Sequence, residues 1–145
     1  MGLVSFLIRR RRHRICRYGL LLFGLEIPPE VTIGKGLVVV HRAMGTVIHP
    51  RCRIGDRVTI YHQVTIGRRD AFLAEEESLM ERIEIGDDVI LFPGCKILGG
   101  PGVTRVGRGT VVAANAVLTS STGDWEVWAG VPAKRVGQRG APTGG

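Results

Sequence analysis

The sequence predicts an all-β chain wound as a parallel β-solenoid, and three observations carry that reading. Ile48 to Gly67 runs IHPRCR, IGDRVT, IYHQVT, IG, so isoleucine opens each block of six at Ile48, Ile54, Ile60 and Ile66. The fifth residue of each full block is small or β-branched: Cys52, Val58 and Val64. The same phase continues upstream through Ile27 and Ile33 and downstream through Ile85, Leu91, Ile97, Val106 and Val112. A helix repeats every ~3.6 residues and a simple strand every ~2, so a period of six fits neither alone. It fits short strands joined by tight corners, each block forming one face of a prism with its large aliphatic side chain turned inward.

Composition agrees with one such domain. The chain has 145 residues, is 44% hydrophobic, contains 21 glycines and is only 6% aromatic, which suits a narrow prism filled with Ile, Val and Leu. A sandwich or barrel would show alternation of period two instead. With three blocks to a turn, turns begin at Ile27, Ile48, Ile66, Ile85 and Val106, at intervals of 21, 18, 19 and 21 residues. About five turns result, stacked roughly 4.8 Å apart. Three extra residues fall in HRAMGT and three around GGPGVTR. Gly-Asp-Arg, Gly-Asp-Asp and Gly-Arg-Gly follow the block leads, where a chain turning a corner needs glycine or aspartate. Cys16, Cys52 and Cys95 are odd in number, and the last two occupy the small inward slot, so they read as reduced core thiols of a cytoplasmic protein.

Residues 1–24 form a separate basic and apolar segment, read as one short helix. Residues 1–25 hold arginines 9, 10, 11, 12, 14 and 17 and no acid, so most of the formal +7 charge resides there. Neither flanking apolar run, GLVSFLI or YGLLLFGL, reaches the ~20 residues that span a bilayer. An interfacial helix with arginines at lipid headgroups fits the pattern. So does a helix that packs its apolar face on the prism or on a neighbouring subunit. Nucleic-acid binding is disfavoured, because no recognition motif or aromatic interleaving accompanies the arginines.

The solenoid proper is read over 25–123, interrupted at 67–84, where GRRDAFLAEEESLMERIE places glutamates at expected corner or core positions. There Phe72, Leu79, Met80 and Ile83 approximate one helical face, predicting an extruded loop with a short helix. Residues 124–145 read as a cap, with Trp125 and Trp128 packed in it and QRGAPTGG disordered.

Six stretches together resemble the hexapeptide-repeat acyltransferases, most closely the serine O-acetyltransferase-like branch. They are EIPPEVTIGKG, HRAMGTVIHPRCRIG, VTIYHQVTIG, IGDDVILFPGCKILG, VGRGTVVAANAVL and the closing AGVPAKRVG, spanning about residues 25–137. The resemblance implies a left-handed parallel β-helix, an exception to the usual crossover hand. It also implies a homotrimer or dimer of trimers, with acetyl-CoA bound between prisms. By the same resemblance His41 is the catalytic general base and Glu26, fifteen residues earlier, its carboxylate partner. His62 and Arg82 become acceptor-side candidates, although an exposed corner is the other reading of His62. Gly94, Ala113, Ala114, Ala129, Gly130, Lys134 and Arg135 become cofactor-side candidates, the last two toward phosphates.

Two departures bear on the acceptor. Val40 stands where serine acetyltransferases carry an acid, and Glu81-Arg82 stands near their Arg-His pair. Both changes weaken the grip on a zwitterionic amino acid and turn the reading toward sugar hydroxyls of glycan pathways, with L-serine as the alternative. A non-catalytic scaffold is the rival of a different class. A metal is not expected: His41, His49 and His62 lie eight and thirteen residues apart, which does not match the histidine spacing of zinc-binding relatives of this prism. His49 reads as a solvated corner residue.

Overall fold

The computed structural model describes residues 2–140, and in it the hexads wind into a three-sided prism. The first face stacks β1 (Thr32–Ile33), β4 (Cys52–Ile54), β7 (Met80–Ile85) and β10 (Gly102–Val106). The second stacks β2 (Val38–Val39), β5 (Thr59–Ile60), β8 (Ile90–Leu91), β11 (Val111–Val112) and β13 (Glu126–Gly130), closed by β14 (Ala133–Gln138). The third stacks β3 (Val47–Ile48), β6 (Thr65–Arg68), β9 (Lys96–Gly99) and β12 (Val117–Leu118). Every pairing is parallel except β13 with β14.

Block leads stack directly on one another. Ile33, Ile54, Ile85 and Val106 form one column, Val39, Ile60, Leu91 and Val112 a second, and Ile48, Ile66, Ile97 and Leu118 a third. All are buried except Ile33 and Val39, which are partly buried in the first coil. The fifth slot supplies the filler between columns: Val31, Cys52, Val58, Val64, Val89, Cys95, Thr110 and Ala116 are all buried.

The Gly-Asp corners have a steric cause. A Cβ at Gly86 would sit 2.8 Å from Arg108 N and 2.9 Å from Val106 O, both backbone atoms of the next coil. Only glycine lets the coils close to rung spacing there. The aspartate that follows then ties the coils together. Asp56 Oδ1 accepts from Lys35 N at 2.7 Å, and Asp87 Oδ1 accepts from Asp56 N at 2.8 Å.

Several expectations need correction. Ile85 aligns with Ile54, not Ile66, so the third-face column runs from Ile66 to Ile97, an interval of 97 − 66 = 31 residues. The segment after Ile66 therefore adds thirteen residues to a normal coil of eighteen. Its apparent interval of 19 is one face of six plus the insertion. That insertion contains no α-helix, only a 3-10 turn at Glu75–Glu77. Met80 and Ile83 belong to β7 and are buried in the prism, while Phe72 and Leu79 are exposed. Glu75 bridges rather than faces a corner: it pairs with Arg51 at 2.6 Å and Arg68 at 3.3 Å. His49 is half-buried beside this network, not solvated, and its Nδ1 accepts from Arg51 N at 3.1 Å. Desolvation holds its pKa below the usual value, in keeping with an unprotonated acceptor nitrogen.

The N-terminal segment is two helices, not one: α1 (Leu3–Arg9) and α2 (Arg14–Leu21). They bury Val4, Ile8 and Leu20 in the same core as the first coils. Arg11, between them, donates to the backbone carbonyls of Ile8, Pro28 and Val31, which ties the hairpin to the solenoid. At the other end Gln138 belongs to β14 and Arg139 N donates to Trp125 O at 2.7 Å, so the ordered cap extends further than expected; residues 141–145 of QRGAPTGG lie outside the described residues.

Gly86→Ala should cost about 1–3 kcal/mol by overpacking against fixed backbone, read as a lowered thermal midpoint in circular dichroism. Burial pushes the thiols of Cys52 and Cys95 up to about 12, so at pH 8 both stay protonated and shielded. A thiol reagent should modify partly exposed Cys16 first and reach the other two only under denaturing conditions.

Candidate active site

Between β2 and β3 the chain makes its first three-residue insertion, and here the backbone leaves the solenoid pattern. His41, Arg42 and Ala43 have φ of 50°, 59° and 49°, three successive non-glycine residues in the left-handed region. Each such residue costs on the order of 1 kcal/mol, so the arrangement persists only where surrounding bonds impose it. Those bonds are present. Thr46 N donates to Ala43 O at 3.1 Å, Gln63 N to Met44 O at 2.7 Å, and the buried Thr46 hydroxyl to Tyr61 O at 3.3 Å. Ala43 is buried as the anchor of the turn, while His41 is exposed.

The loop sets the His41 imidazole against the next coil. Its ring centroid lies 5.3 Å from that of His62, edge-on at 78°, and 6.5 Å from that of Tyr61. Tyr61 stacks on Phe92 of the following coil at 5.1 Å and 9°. His62 Nδ1 is buried without a hydrogen-bond partner among the described residues. His41 and His62 border an open cleft of about 680 Å³, completed by Leu22, Phe23, Met44 and Gln63.

The register fixes what lies further along the axis. Tyr61 N donates to Leu91 O, Phe92 N to Val112 O and Ala113 N to Trp128 O, so Tyr61, Phe92, Ala113 and Ala129 occupy equivalent positions on successive rungs. Side chains shrink along this column from tyrosine and phenylalanine to two alanines. Three rung steps carry it roughly 14 Å from Tyr61. Gly94 lies one corner beyond Phe92, its N–H bonded to His62 O at 3.1 Å. Ala114 follows Ala113 and is exposed, and Gly130 ends β13. Lys134 pairs with Ala129 across the closing hairpin and Arg135 with Trp128.

No family model matches the chain. A curated serine acetyltransferase of Staphylococcus aureus is 36% identical over 121 residues, covering 83% of this chain and 53% of that protein. A solved Neisseria gonorrhoeae serine acetyltransferase, in complex with serine, superposes with TM-score 0.68 at 31% identity over 80% of this chain and 43% of its own. A Brucella abortus serine acetyltransferase in complex with coenzyme A gives 0.71 at 26% identity over 94% and 53%. In sequence and in fold the chain is thus similar to the serine acetyltransferase-like branch of the hexapeptide-repeat superfamily. Its prism is therefore the left-handed parallel β-helix of that branch. It spans about half the length of the curated relatives it matches.

Against this branch, the site residues read from sequence divide into three groups. His41 and His62 are brought together at the cleft. The small residues Gly94, Ala113, Ala114, Ala129 and Gly130, with Lys134, follow the same edge of the second face toward the cap. Arg135 is engaged elsewhere, 3.4 Å from Glu126 and 2.6 Å from Gln138. Glu26 and Arg82 do not join His41. Glu26 bridges Val47 at the start of the third face and borders a different hollow, with Arg17 and Glu30. No hydrogen bond links it to His41, because the left-handed turn carries the imidazole toward the following coil instead. Arg82 lies on β7 of the first face, where its Nε donates to Glu84 at 2.6 Å. Tyr61 and Phe92 are the site residues that sequence reasoning missed. Each immediately follows a block lead, Ile60 and Leu91, on the same face one coil apart, so writing the sequence coil by coil would have paired them.

Proposed function

We propose that this chain is an acetyl-CoA-dependent O-acetyltransferase in which His41 acts as general base. The observation that carries the reading is an imidazole held over an open cleft by a strained, non-glycine, left-handed turn, at the head of a column that narrows to alanine. Strain of this kind is maintained where geometry matters more than local stability. His41 takes the proton of an acceptor hydroxyl as that oxygen attacks the thioester carbonyl; the C–S bond then breaks with the electron pair on sulfur, and the imidazolium returns the proton to give the free thiol and the acetyl ester. A backbone N–H stabilises the developing oxyanion, so no covalent enzyme intermediate is required.

Acetyl-CoA suits the edge of the second face. With only methyl groups at Ala113 and Ala129, an extended amide-containing arm can lie close along that edge without meeting a bulky side chain. Lys134 stands next to Ala129 without an ion-pair partner among the described residues, where its charge can meet phosphate. We place the working unit as a homotrimer, since the cleft at His41 opens outward from one prism and a neighbouring prism would wall it.

L-Serine is the first acceptor to test, because the curated relatives named above and the neighbour bound to serine are serine acetyltransferases. A sugar hydroxyl is the second reading, motivated by the apolar Val40 beside His41 and by the engagement of Arg82 with Glu84. Neither residue offers a serine zwitterion a free complementary charge.

His41→Ala should lower acetyl transfer by about 10²–10⁴-fold with little change in the KM for acetyl-CoA. Glu26→Gln should have a far smaller effect, since no hydrogen bond joins it to the ring. Ala113→Phe should raise the KM for acetyl-CoA at least about tenfold, the loss of ~1.4 kcal/mol of binding, without lowering the thermal midpoint. Thiol release measured with L-serine and with a sugar panel decides the acceptor. Turnover of serine alone removes the glycan reading, and turnover of sugars alone removes serine. Release that is unchanged in His41→Ala removes the mechanism.

A further inference from the structure

The N-terminal hairpin has used only part of its surface. Val4, Ile8 and Leu20 are consumed by the core, and Arg11 by three backbone carbonyls. What remains outward is of two kinds. Ile15 and Leu22 are each 87% exposed, and Tyr18 and Leu21 are exposed beside them. Ile15 and Tyr18 are spaced i and i+3, one stripe along α2, whereas Leu22 belongs to the rim of the His41 cleft. Around that stripe Arg9, Arg10, Arg12 and Arg14 are also exposed, and no acid occurs before Glu26. Two of the largest aliphatic side chains in the chain thus project into solvent from the most basic part of the molecule.

We infer that this face of the hairpin docks on an anionic lipid bilayer, with Ile15 and Tyr18 entering the interface and the arginines meeting headgroup phosphates. The inference is independent of which acceptor the cleft takes. Charge complementarity selects the occupant. A second copy of this chain bringing its own hairpin to this face would oppose arginines to arginines, which is repulsive; a head-to-tail neighbour, as in the trimer proposed above, is distinguished by the oligomeric state measured below. A nucleic acid would use the arginines but leave the apolar stripe in water. A membrane surface satisfies both halves: apolar side chains enter the acyl boundary while the basic residues stay at headgroup level. No helix among the described residues is long and apolar enough to cross the membrane, so the contact is peripheral.

The test is co-sedimentation of the full chain with vesicles of phosphatidylcholine alone and of phosphatidylcholine mixed with phosphatidylglycerol. The expected result is binding to the mixed vesicles, weaker binding to the neutral ones, and release as salt rises. The double variant Ile15→Asp with Tyr18→Asp should abolish binding. Arg12→Gln and Arg14→Gln should each weaken it about fivefold. Light scattering and circular dichroism on every variant keep the result readable, because all four side chains are exposed and their replacement leaves the core intact. Failure to bind mixed vesicles overturns the inference, and so does equal binding to both kinds. A change of oligomeric state in the aspartate variant, without any effect on sedimentation, reassigns the face to contact between copies. Binding to a random-sequence duplex that depends on the arginines but not on Ile15 and Tyr18, with no vesicle binding, reassigns it to nucleic acid.

Discussion

Each coil must lay its three block leads directly on those of the coil beneath, and the rest of the molecule depends on that stacking. A prism this narrow has no second layer of side chains to absorb a misplaced residue. A shift of register by one position would expose a whole column and bury the polar residues that flank it. The vertical closeness in turn dictates glycine at positions such as Gly86, where any Cβ would strike the backbone of the next coil. Aspartate follows because its carboxylate reaches the N–H that the corner leaves open. Side-chain packing and corner chemistry are thus consequences of one spacing.

The same stacking determines where chemistry is possible. A regular coil turns its large side chains inward and offers the outside only short rows of alternate residues. Function must come from departures, and the chain contains three internal ones. The insertion at His41 lifts an imidazole off the prism; the long one after Ile66 builds an ion-pair network over Arg51, Arg68 and His49. The third, at GGPGVTR, only extends β10. Because every coil repeats the same positions, a departure in one is aligned automatically with ordinary residues in the next. His41 meets His62 and Tyr61 in this way, without any long-range loop being needed to bring them together.

How much of this was legible in the sequence follows from the same logic. The inward columns were readable because period six maps onto faces without any knowledge of the third dimension. The phase was lost at Ile85 for a specific reason: an insertion of thirteen residues plus one face of six gives 19, nearly the eighteen of a full coil, so spacing alone mistook a change of face for a turn. The pairing of Glu26 with His41 failed differently. Sequence separation states how far along the chain two residues lie, but the direction of a loop is set by its φ values, and three left-handed non-glycine residues leave no compositional mark. The break between α1 and α2 was also silent, since Arg10 to His13 contains neither glycine nor proline. There the turn is imposed by tertiary contacts, above all by Arg11 reaching the carbonyls of the first coil.

Catalytic geometry and acceptor choice are consequently separable in this fold. The column toward Ala113 and Ala129 is fixed by backbone register, which any sequence preserving the hexads will reproduce, whereas the imidazole needs in addition the left-handed turn from His41 to Ala43. The groups that recognise an acceptor are not so fixed. Val40 precedes the strained turn, and the residues after Ile66 belong to an insertion whose length the stacking leaves free. A substitution at either place comes at almost no cost to the columns that hold the prism together. A solenoid of this kind can therefore keep its columns while residues beside the cleft change, so on the proposed reading Val40, outside the columns, is free to bear on the acceptor, whereas Arg82, on β7 and paired with Glu84, is held away from it.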